Sequence, residues 1–202
     1  MSISFVLFSF LLFFVALSVH EASHAYVADK LGDPTAKIAG RLSLNPLAHI
    51  DPFGTIILPL LLAISGAPAF GWAKPVMIDP RNFKNPPRHN FLTALAGPVS
   101  NVLFAFLVAL IARFTTSIPV LHSVLVLLVQ INIILALFNI LPIPPLDGSK
   151  VWNLVLSQES YYQLERMGPF ILLAVIIFSF STGNFLLNFI FSLSDKIVAI
   201  LH

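Results

Sequence analysis

The stretch ISFVLFSFLLFFVALSVHEASH, residues 3–24, decides the architecture of this chain. Its residues up to Val19 are almost all apolar. At 1.5 Å per residue this apolar part covers about 25 Å of helix, which is most of the thickness of a bilayer's hydrocarbon core. The stretch therefore predicts a membrane helix over 3–28, with His20 and His24 inside the membrane near one face.

The whole chain is rich in apolar residues. Of its 202 residues, 57% are hydrophobic and 10% are charged, whereas an ordinary soluble domain carries about a quarter charged residues. Three further apolar runs, at 91–112, 120–141 and 168–191, are too long to be hidden in a soluble core, so their solvent must be the bilayer. These observations predict an all-α polytopic membrane protein, a single domain over 1–202 with about four spanning helices.

The segments between these runs carry weaker patterns. Residues 35–45 alternate in a way that favours a small strand, and 71–79 form another strand-like piece. Such pieces could offer an edge to an extended peptide, or be short loops with some pairing. Residues 53–65 are apolar but short, and Pro59 interrupts them, which predicts a re-entrant segment. No positively charged leader precedes the first helix, so we expect it to be retained.

Positive charges predict the orientation of the chain in the membrane. Short basic loops remain cytoplasmic, and such loops follow the first helix and precede the second, with the basic residues Lys30, Lys37, Arg41, Lys74, Arg81, Lys84 and Arg88. If 53–65 returns to the side it left, helix 91–112 leads outward and helix 120–141 leads back, which brings Asp147 to the cytoplasmic side. The histidine pair of the first helix ends on that same side. We therefore expect a multi-pass protein whose site faces the cytoplasm.

Charge and cysteine content exclude several kinds of partner and site. A net charge of +2 without a basic stripe argues against nucleic-acid binding, and we also expect no dinucleotide cofactor. The chain has no cysteine, so it can form neither disulfides nor thiolate metal sites. Any metal must therefore be bound by histidine and carboxylate.

His20 and His24 are suited to share a metal ion, because positions i and i+4 lie above one another on a helix. Glu21 emerges about 100° around the helix, close enough to reach a bound water without being a ligand. Catalytic zinc keeps three protein ligands and one water and lowers the pKa of that water, so Glu21 could move its proton to a leaving amine. The alternative is that these side chains only hydrogen-bond their neighbours. Ionisable groups in membrane segments are costly and usually functional, which favours the metal hypothesis.

A third ligand is needed, and Asp147 is the best candidate. Topology brings it to the depth of the histidine pair, and the prolines before it break the helix. The rivals lie in loops, at termini or on the wrong face: Asp33, Asp51, Asp79, Glu159, Glu165, His49, His89, His122 and His202. The simpler alternative for Asp147 and Gly148 is a turn pair that ends a helix. The upstream histidines make the metal hypothesis the stronger one.

Three segments together resemble the site-2 protease family of intramembrane zinc metalloproteases. Residues 20–24, HEASH, match the first motif of that family. Residues 139–148, NILPIPPLDG, match its Asn-x-x-Pro-x-Pro-x-x-Asp-Gly motif, and residues 97–101, GPVSN, match a Gly-Pro-x-x-Asn signature. The matches extend from residue 20 to residue 148, and the length of the second motif makes chance agreement improbable.

This resemblance implies roles for individual residues. The histidine pair and Asp147 would bind zinc, one ion per chain, and Glu21 would be the catalytic acid and base. Asn101 and Asn139 would bind the substrate backbone or the oxyanion. The alternative for these two amides is hydrogen bonding between helices, which is a routine use of Asn in membrane packing.

The resemblance also implies a function, an endopeptidase that cuts membrane-anchored proteins in or near their transmembrane segments. Many family members carry an additional helix before the first motif, or an inserted PDZ or paired CBS domain. This chain shows none of these, like a minimal core of prokaryotic type, so we expect a prokaryotic plasma membrane. Two alternatives are a non-catalytic metal-binding membrane protein, as a transporter or pseudoprotease, and a structural subunit of a complex. Ligands clustered at one depth and the presence of Glu21 favour the protease.

Overall fold

The computed structural model describes residues 3–57, 61, 64 and 74–201, and within them the chain forms helices and no strand. The helices are α1 (Ile3–Leu31), α2 (Thr35–Ile38), α3 (Pro86–Ala112), α4 (Pro119–Asn139), α5 (Gln158–Ser181) and α6 (Phe185–Leu201). By length and composition, four of these can cross a membrane: α1, α3, α4 and α5. The predicted all-α polytopic membrane protein is therefore confirmed.

Helix α3 lies between α1 and α4 and packs along both. Its contact face carries small residues, such as Ala105 and Ala109, which are 0% and 1% exposed. These alanines pack in one cluster with Val129 and Ile133 of α4. Small residues let helix backbones approach closely, which is how helices associate in lipid. Because α3 packs along α1, its side chains and backbone can contact the residues of α1 that carry the histidine pair.

The opposite face of α3 is apolar and points away from the protein. Between 40% and 59% of the surface of its large side chains is exposed, at Leu103, Phe106, Leu107, Leu110 and Ile111. A continuous apolar surface of this kind would be unfavourable in water and is expected in hydrocarbon. The chain is an integral membrane protein.

Short helical turns occupy the segments between the long helices. Pro46–His49 forms a 3₁₀ turn that packs on α1, and Pro80–Asn82 forms another that packs on α3. Asp147–Leu154 forms a longer 3₁₀ helix, which packs against α3 and α5. These turns bring the segments before α3 and after α4 to the part of α1 that carries the histidine pair.

Residues 35–45 do not form the strand-like piece that their alternation predicts. The Asp33 carboxylate accepts hydrogen bonds from the Thr35 N–H and hydroxyl, at 3.1 Å and 2.5 Å. These bonds satisfy groups at the start of α2, and Gly40 follows the turn with a φ of 70°. A local side-chain contact therefore outweighs the alternating pattern.

Two other predicted segments fall partly outside the described residues. Of 71–79, the structure describes 74–79, which carry no regular secondary structure. Of 53–65, it describes the beginning, which belongs to a π-helical turn at Pro52–Ile57, and the single residues 61 and 64. Pro59 and the predicted re-entrant path lie outside the described residues.

The last apolar run, 168–191, is divided between two helices. After α5 the chain turns at Gly183 and Asn184, whose φ angles are 81° and 61°. Glycine adopts this conformation freely and asparagine tolerates it better than most residues. An apolar run that is continuous in sequence therefore ends one helix and begins another.

Candidate metal centre

The two histidines of α1 meet Asp147 in the interior of the protein. His20 and His24 are buried, with 3% and 6% of their surface exposed. Their Nε2 atoms lie 3.0 Å and 3.3 Å from Asp147 Oδ2. Ligand atoms that each lie about 2.0–2.1 Å from a tetrahedral zinc ion are roughly 3.3 Å from one another. The three side chains therefore have the spacing of ligands around a single metal ion.

The outward ring nitrogens set the tautomer of both histidines. His24 Nδ1 lies 2.8 Å from the Thr93 carbonyl oxygen, which can only accept a hydrogen bond. His20 Nδ1 lies 2.6 Å from Asn101 Oδ1, which is also an acceptor. Each Nδ1 must therefore donate, so in the neutral imidazole each Nε2 carries the lone pair and faces Asp147. This is the tautomer that a metal ligand requires.

The orientation of the Asn101 amide is itself determined by its surroundings. Asn101 is fully buried, and its Nδ2 donates to the Ala16 carbonyl at 3.0 Å and to Asn132 Oδ1 at 2.8 Å. With both amide hydrogens used, its oxygen faces the His20 ring. The structure thus places Asn101 as an acceptor for a candidate ligand.

The carboxylate completes a set of atoms that suits a cation. Asp147 Oδ2 is buried and has no hydrogen-bond partner, although it lies beside two imidazole nitrogens. Three electron-rich atoms in a buried space repel one another unless a positive charge lies between them. Two imidazoles and one carboxylate form a donor set that zinc accepts in catalytic sites. The residues present therefore fit a zinc ion.

Gly97 provides the space in which the imidazoles lie. A Cβ atom at this position would come within 2.5 Å of His24 Nε2 and 2.6 Å of His20 Nε2. Such contacts are shorter than real Cβ atoms allow, so no larger residue fits without moving the ligands. Gly97 is part of the Gly-Pro-x-x-Asn signature, so the sequence singles it out. Only the packing of α3 on α1 explains why this position must be glycine.

The third candidate ligand is held by a tightly folded turn. A Cβ at Gly148 would collide with the backbone carbonyl of Ile140, so the residue after Asp147 must be glycine. Lys150, in the same 3₁₀ helix, forms an ion pair with Glu165 of α5. The 3₁₀ helix that begins with Asp147 is thus held by the turn at Ile140 and by α5.

Glu21 is half-buried and is not part of the three-residue group. The backbone N–H of Val76 donates a hydrogen bond to Glu21 Oε2, at 3.0 Å. No pattern in the sequence indicated this contact, since any residue other than proline supplies the same N–H group.

A groove of about 450 Å³ lies between α1, residues 42–44 and α3. Its walls include Ala22 and Ser23, which lie between the two candidate ligands, and Val99 and Ser100 on α3. The groove is mainly apolar. None of the three candidate ligands lines it.

Other predicted candidates lie elsewhere. Asn139 is half-buried, and its Nδ2 donates to the Leu135 carbonyl of its own helix, at 3.0 Å. Among the described residues, the only group of three metal-type side chains is the one with Asp147. Of the rival ligands, Asp33 is surrounded by hydrogen-bond donors and His49 contacts the Ser43 carbonyl.

We expect Asn101→Ala to weaken zinc binding. The change leaves the His20 Nδ1–H without its acceptor, and loss of such a partner costs about 10- to 100-fold in metal affinity. Competition with a chelating dye would measure the affinity. Asn139→Ala is the matched control and should bind zinc as tightly as the parent; equal affinities for all three proteins would contradict the proposed orienting role.

Comparison with known proteins supports the interpretation of this three-residue group as a zinc site. The model of peptidase family M50 matches residues 115–181. YwhC of Bacillus subtilis, a candidate zinc metalloprotease, is 43% identical over 149 residues, which are 68% of this chain and 64% of YwhC. Rip2 of Mycobacterium tuberculosis H37Rv, also a candidate zinc metalloprotease, is 30% identical over 166 residues, 81% of this chain and 62% of Rip2.

A more distant relative covers more of the chain. The zinc metalloprotease MJ0392 of Methanocaldococcus jannaschii is 25% identical over 187 residues, 88% of this chain and 44% of that protein. This chain thus spans about half to two thirds of the length of these relatives. No solved structure matches it. The chain is thus similar to peptidase family M50 over residues 115–181, and its predicted resemblance to the site-2 protease family is confirmed.

Proposed function

We propose that this protein is an intramembrane zinc endopeptidase. The observation that carries the proposal is the convergence of His20 Nε2, His24 Nε2 and Asp147 Oδ2, with a separate carboxylate, Glu21, on the same helix. Zinc-dependent hydrolysis needs these two parts, a three-residue ligand set and a base that is not a ligand. The relatives named as zinc metalloproteases agree with it.

In this proposal the ligands and the base have different tasks. Zinc bound by the two histidines and Asp147 would acidify a water molecule and polarise the peptide carbonyl. Glu21 takes the proton from the attacking water and delivers it to the leaving amine nitrogen. Asn101 keeps the His20 ring in place through Nδ1, so we assign it to ligand orientation. Asn139 remains the candidate contact for the substrate backbone.

The substrate class follows from the depth of the site and its surroundings. Two of the candidate ligands, His20 and His24, belong to a helix that can cross the bilayer, and the groove between that helix and α3 is lined mainly by apolar side chains. A membrane-anchored protein could bring a peptide bond to this depth, whereas a soluble peptide would have to enter lipid. We therefore propose membrane-anchored protein substrates. We also propose that the site faces the cytoplasm, because short basic loops of this kind stay on that side, and that the membrane is a prokaryotic plasma membrane.

Metal removal tests the proposal. The purified protein should contain about one zinc ion per chain, and a chelator should abolish cleavage of a model single-span substrate in detergent until zinc is restored. His20→Ala should lose the metal, and His122→Ala, at the far end of α4, should retain it. Bound zinc without any cleavage would favour a metal-binding scaffold or transporter, while full cleavage after complete zinc removal would exclude the mechanism.

A further inference from the structure

Residues 74–79, called here the 74–79 segment, are attached to the rest of the protein at three points. At its start, the Lys74 N–H donates to the His49 carbonyl at 2.9 Å. In its middle, the Val76 N–H donates to Glu21 Oε2 at 3.0 Å. At its end, the Asp79 N–H donates to Asp33 Oδ2 at 2.7 Å. The middle attachment is to the proposed catalytic carboxylate, and the outer two lie on either side of it along the chain.

Asp33 provides the attachment with the most donors. The residue follows α1, and none of its surface is exposed. Its Oδ1 accepts from the Thr35 N–H, the Thr35 hydroxyl and Asn82 Nδ2, while its Oδ2 accepts from the Asp79 N–H. Burial acts to raise its pKa, but the hydrogen bonds from Thr35, Asn82 and Asp79 hold the pKa of Asp33 below its ordinary value. The ionised carboxylate thus joins the end of α1 to the end of the 74–79 segment.

We propose that Asp33 is a positioning residue for hydrolysis: by anchoring the 74–79 segment to the end of α1, it holds the Val76 N–H on the Glu21 carboxylate. Glu21 lies in α1 and Asp33 follows the end of that helix, so the two residues keep a fixed spacing. Attachment of the 74–79 segment at Asp33 therefore also sets the position of Val76 relative to Glu21. The inference rests on the proposed function, because it concerns the group that moves the proton.

The contact with Val76 matters because a glutamate side chain has three rotatable bonds. One hydrogen bond to Oε2 fixes the carboxylate and leaves Oε1 free to take a proton from water. If the 74–79 segment moves away, the carboxylate samples other rotamers, and small misplacement of a reacting group can cost up to about 100-fold in rate. Binding of zinc does not involve this segment, so the metal should be unaffected.

The test is Asp33→Asn in the full-length protein. The amide keeps the size of the side chain but replaces one acceptor oxygen by a donor, which then faces either the Asp79 N–H or the donors from Thr35 and Asn82. We expect kcat per bound zinc to fall by about 10- to 100-fold, with smaller changes in KM and in zinc content. Asp29→Asn is the matched control: Asp29 also lies at the end of α1, but it pairs with Lys37 at 3.2 Å, and its change should leave kcat unaltered.

A spin label reports the position of the segment independently of catalysis. The chain has no cysteine, so Met77→Cys, at a position that is 53% exposed, introduces a single labelling site. The label should become more mobile with Asp33→Asn and stay unchanged with Asp29→Asn. Asn82→Ala, which removes one donor to Asp33, should shift kcat and label mobility in the same direction by a smaller amount, and it serves if Asp33→Asn does not fold.

The possible outcomes separate this inference from the proposed function. Lower kcat per zinc together with a mobile label supports the positioning role. An unchanged kcat, with or without a mobile label, overturns it, and so does a loss of zinc in parallel with activity, which would mean a purely structural role. If the parent cleaves nothing, the proposed function fails first, while the label still shows whether Asp33 anchors the segment.

Discussion

Glu21→Gln is expected to abolish cleavage while zinc remains bound. The amide cannot accept the proton of the attacking water, and loss of a general base costs about 10²- to 10⁴-fold in rate. Glu21 is not among the three candidate ligands, so the zinc content should stay the same. The Gln side-chain oxygen can still accept the hydrogen bond from the Val76 N–H, which leaves the 74–79 segment in place. Cleavage of a single-span substrate and metal analysis of the same sample would measure both effects.

The control for this variant removes the same charge elsewhere. Glu159→Gln changes an exposed carboxylate at the start of α5 and should cleave at the parental rate. If Glu21→Gln cleaves as fast as Glu159→Gln, Glu21 is not the base. If Glu21→Gln loses zinc, Glu21 contributes to metal binding and its proposed role must be revised.

Gly97→Ala is the second change with a large expected effect, and it acts on the metal instead of the base. The added methyl would come within 2.6 Å of both histidine Nε2 atoms, so one or both rings must turn away from Asp147. We expect zinc content to fall from about one ion per chain to near zero and cleavage to be lost with it. Overpacking at a helix interface also costs about 1–3 kcal/mol, which thermal unfolding in detergent would detect.

A matched variant separates the steric effect at the ligands from a general effect on α3. Val99→Ile adds one methyl group two residues away, where the side chain is 50% exposed, and should keep both zinc and stability. Normal zinc binding by Gly97→Ala would show that the imidazoles have room that the structure does not indicate. That result would also contradict the proposal that the close approach of α3 holds the two imidazoles in place.

The candidate ligands could be predicted from sequence because their spacing is local or is set by topology. His20 and His24 are one helical turn apart, which places them on one face whatever the rest of the protein does. Asp147 is distant in sequence, but the basic loops and the lengths of the apolar runs predict that it lies on the same side of the membrane as the histidine pair. The structure places all three together.

Other features could not be predicted because they depend on contacts that leave no pattern. The alternation of 35–45 suggested a strand, yet hydrogen bonds to Asp33 form a helical turn there. The turn at Gly183 and Asn184 is hidden inside an apolar run. From sequence, Asp33 is only a rival metal ligand, because its proposed positioning role depends on the 3₁₀ turn at Pro80–Asn82 being close to the end of α1.

The sequence by itself determined the membrane helices, because apolar length is a property of single segments, and it predicted the candidate ligands from helical periodicity and from the topology that the basic loops indicate. Only the tertiary structure decided how the site is supported. The Thr93 carbonyl that orients His24, the Val76 N–H that holds Glu21 and the space at Gly97 all arise where separate segments meet. Two of these are backbone groups that nearly every residue carries, so their identity is set by packing and not by residue type.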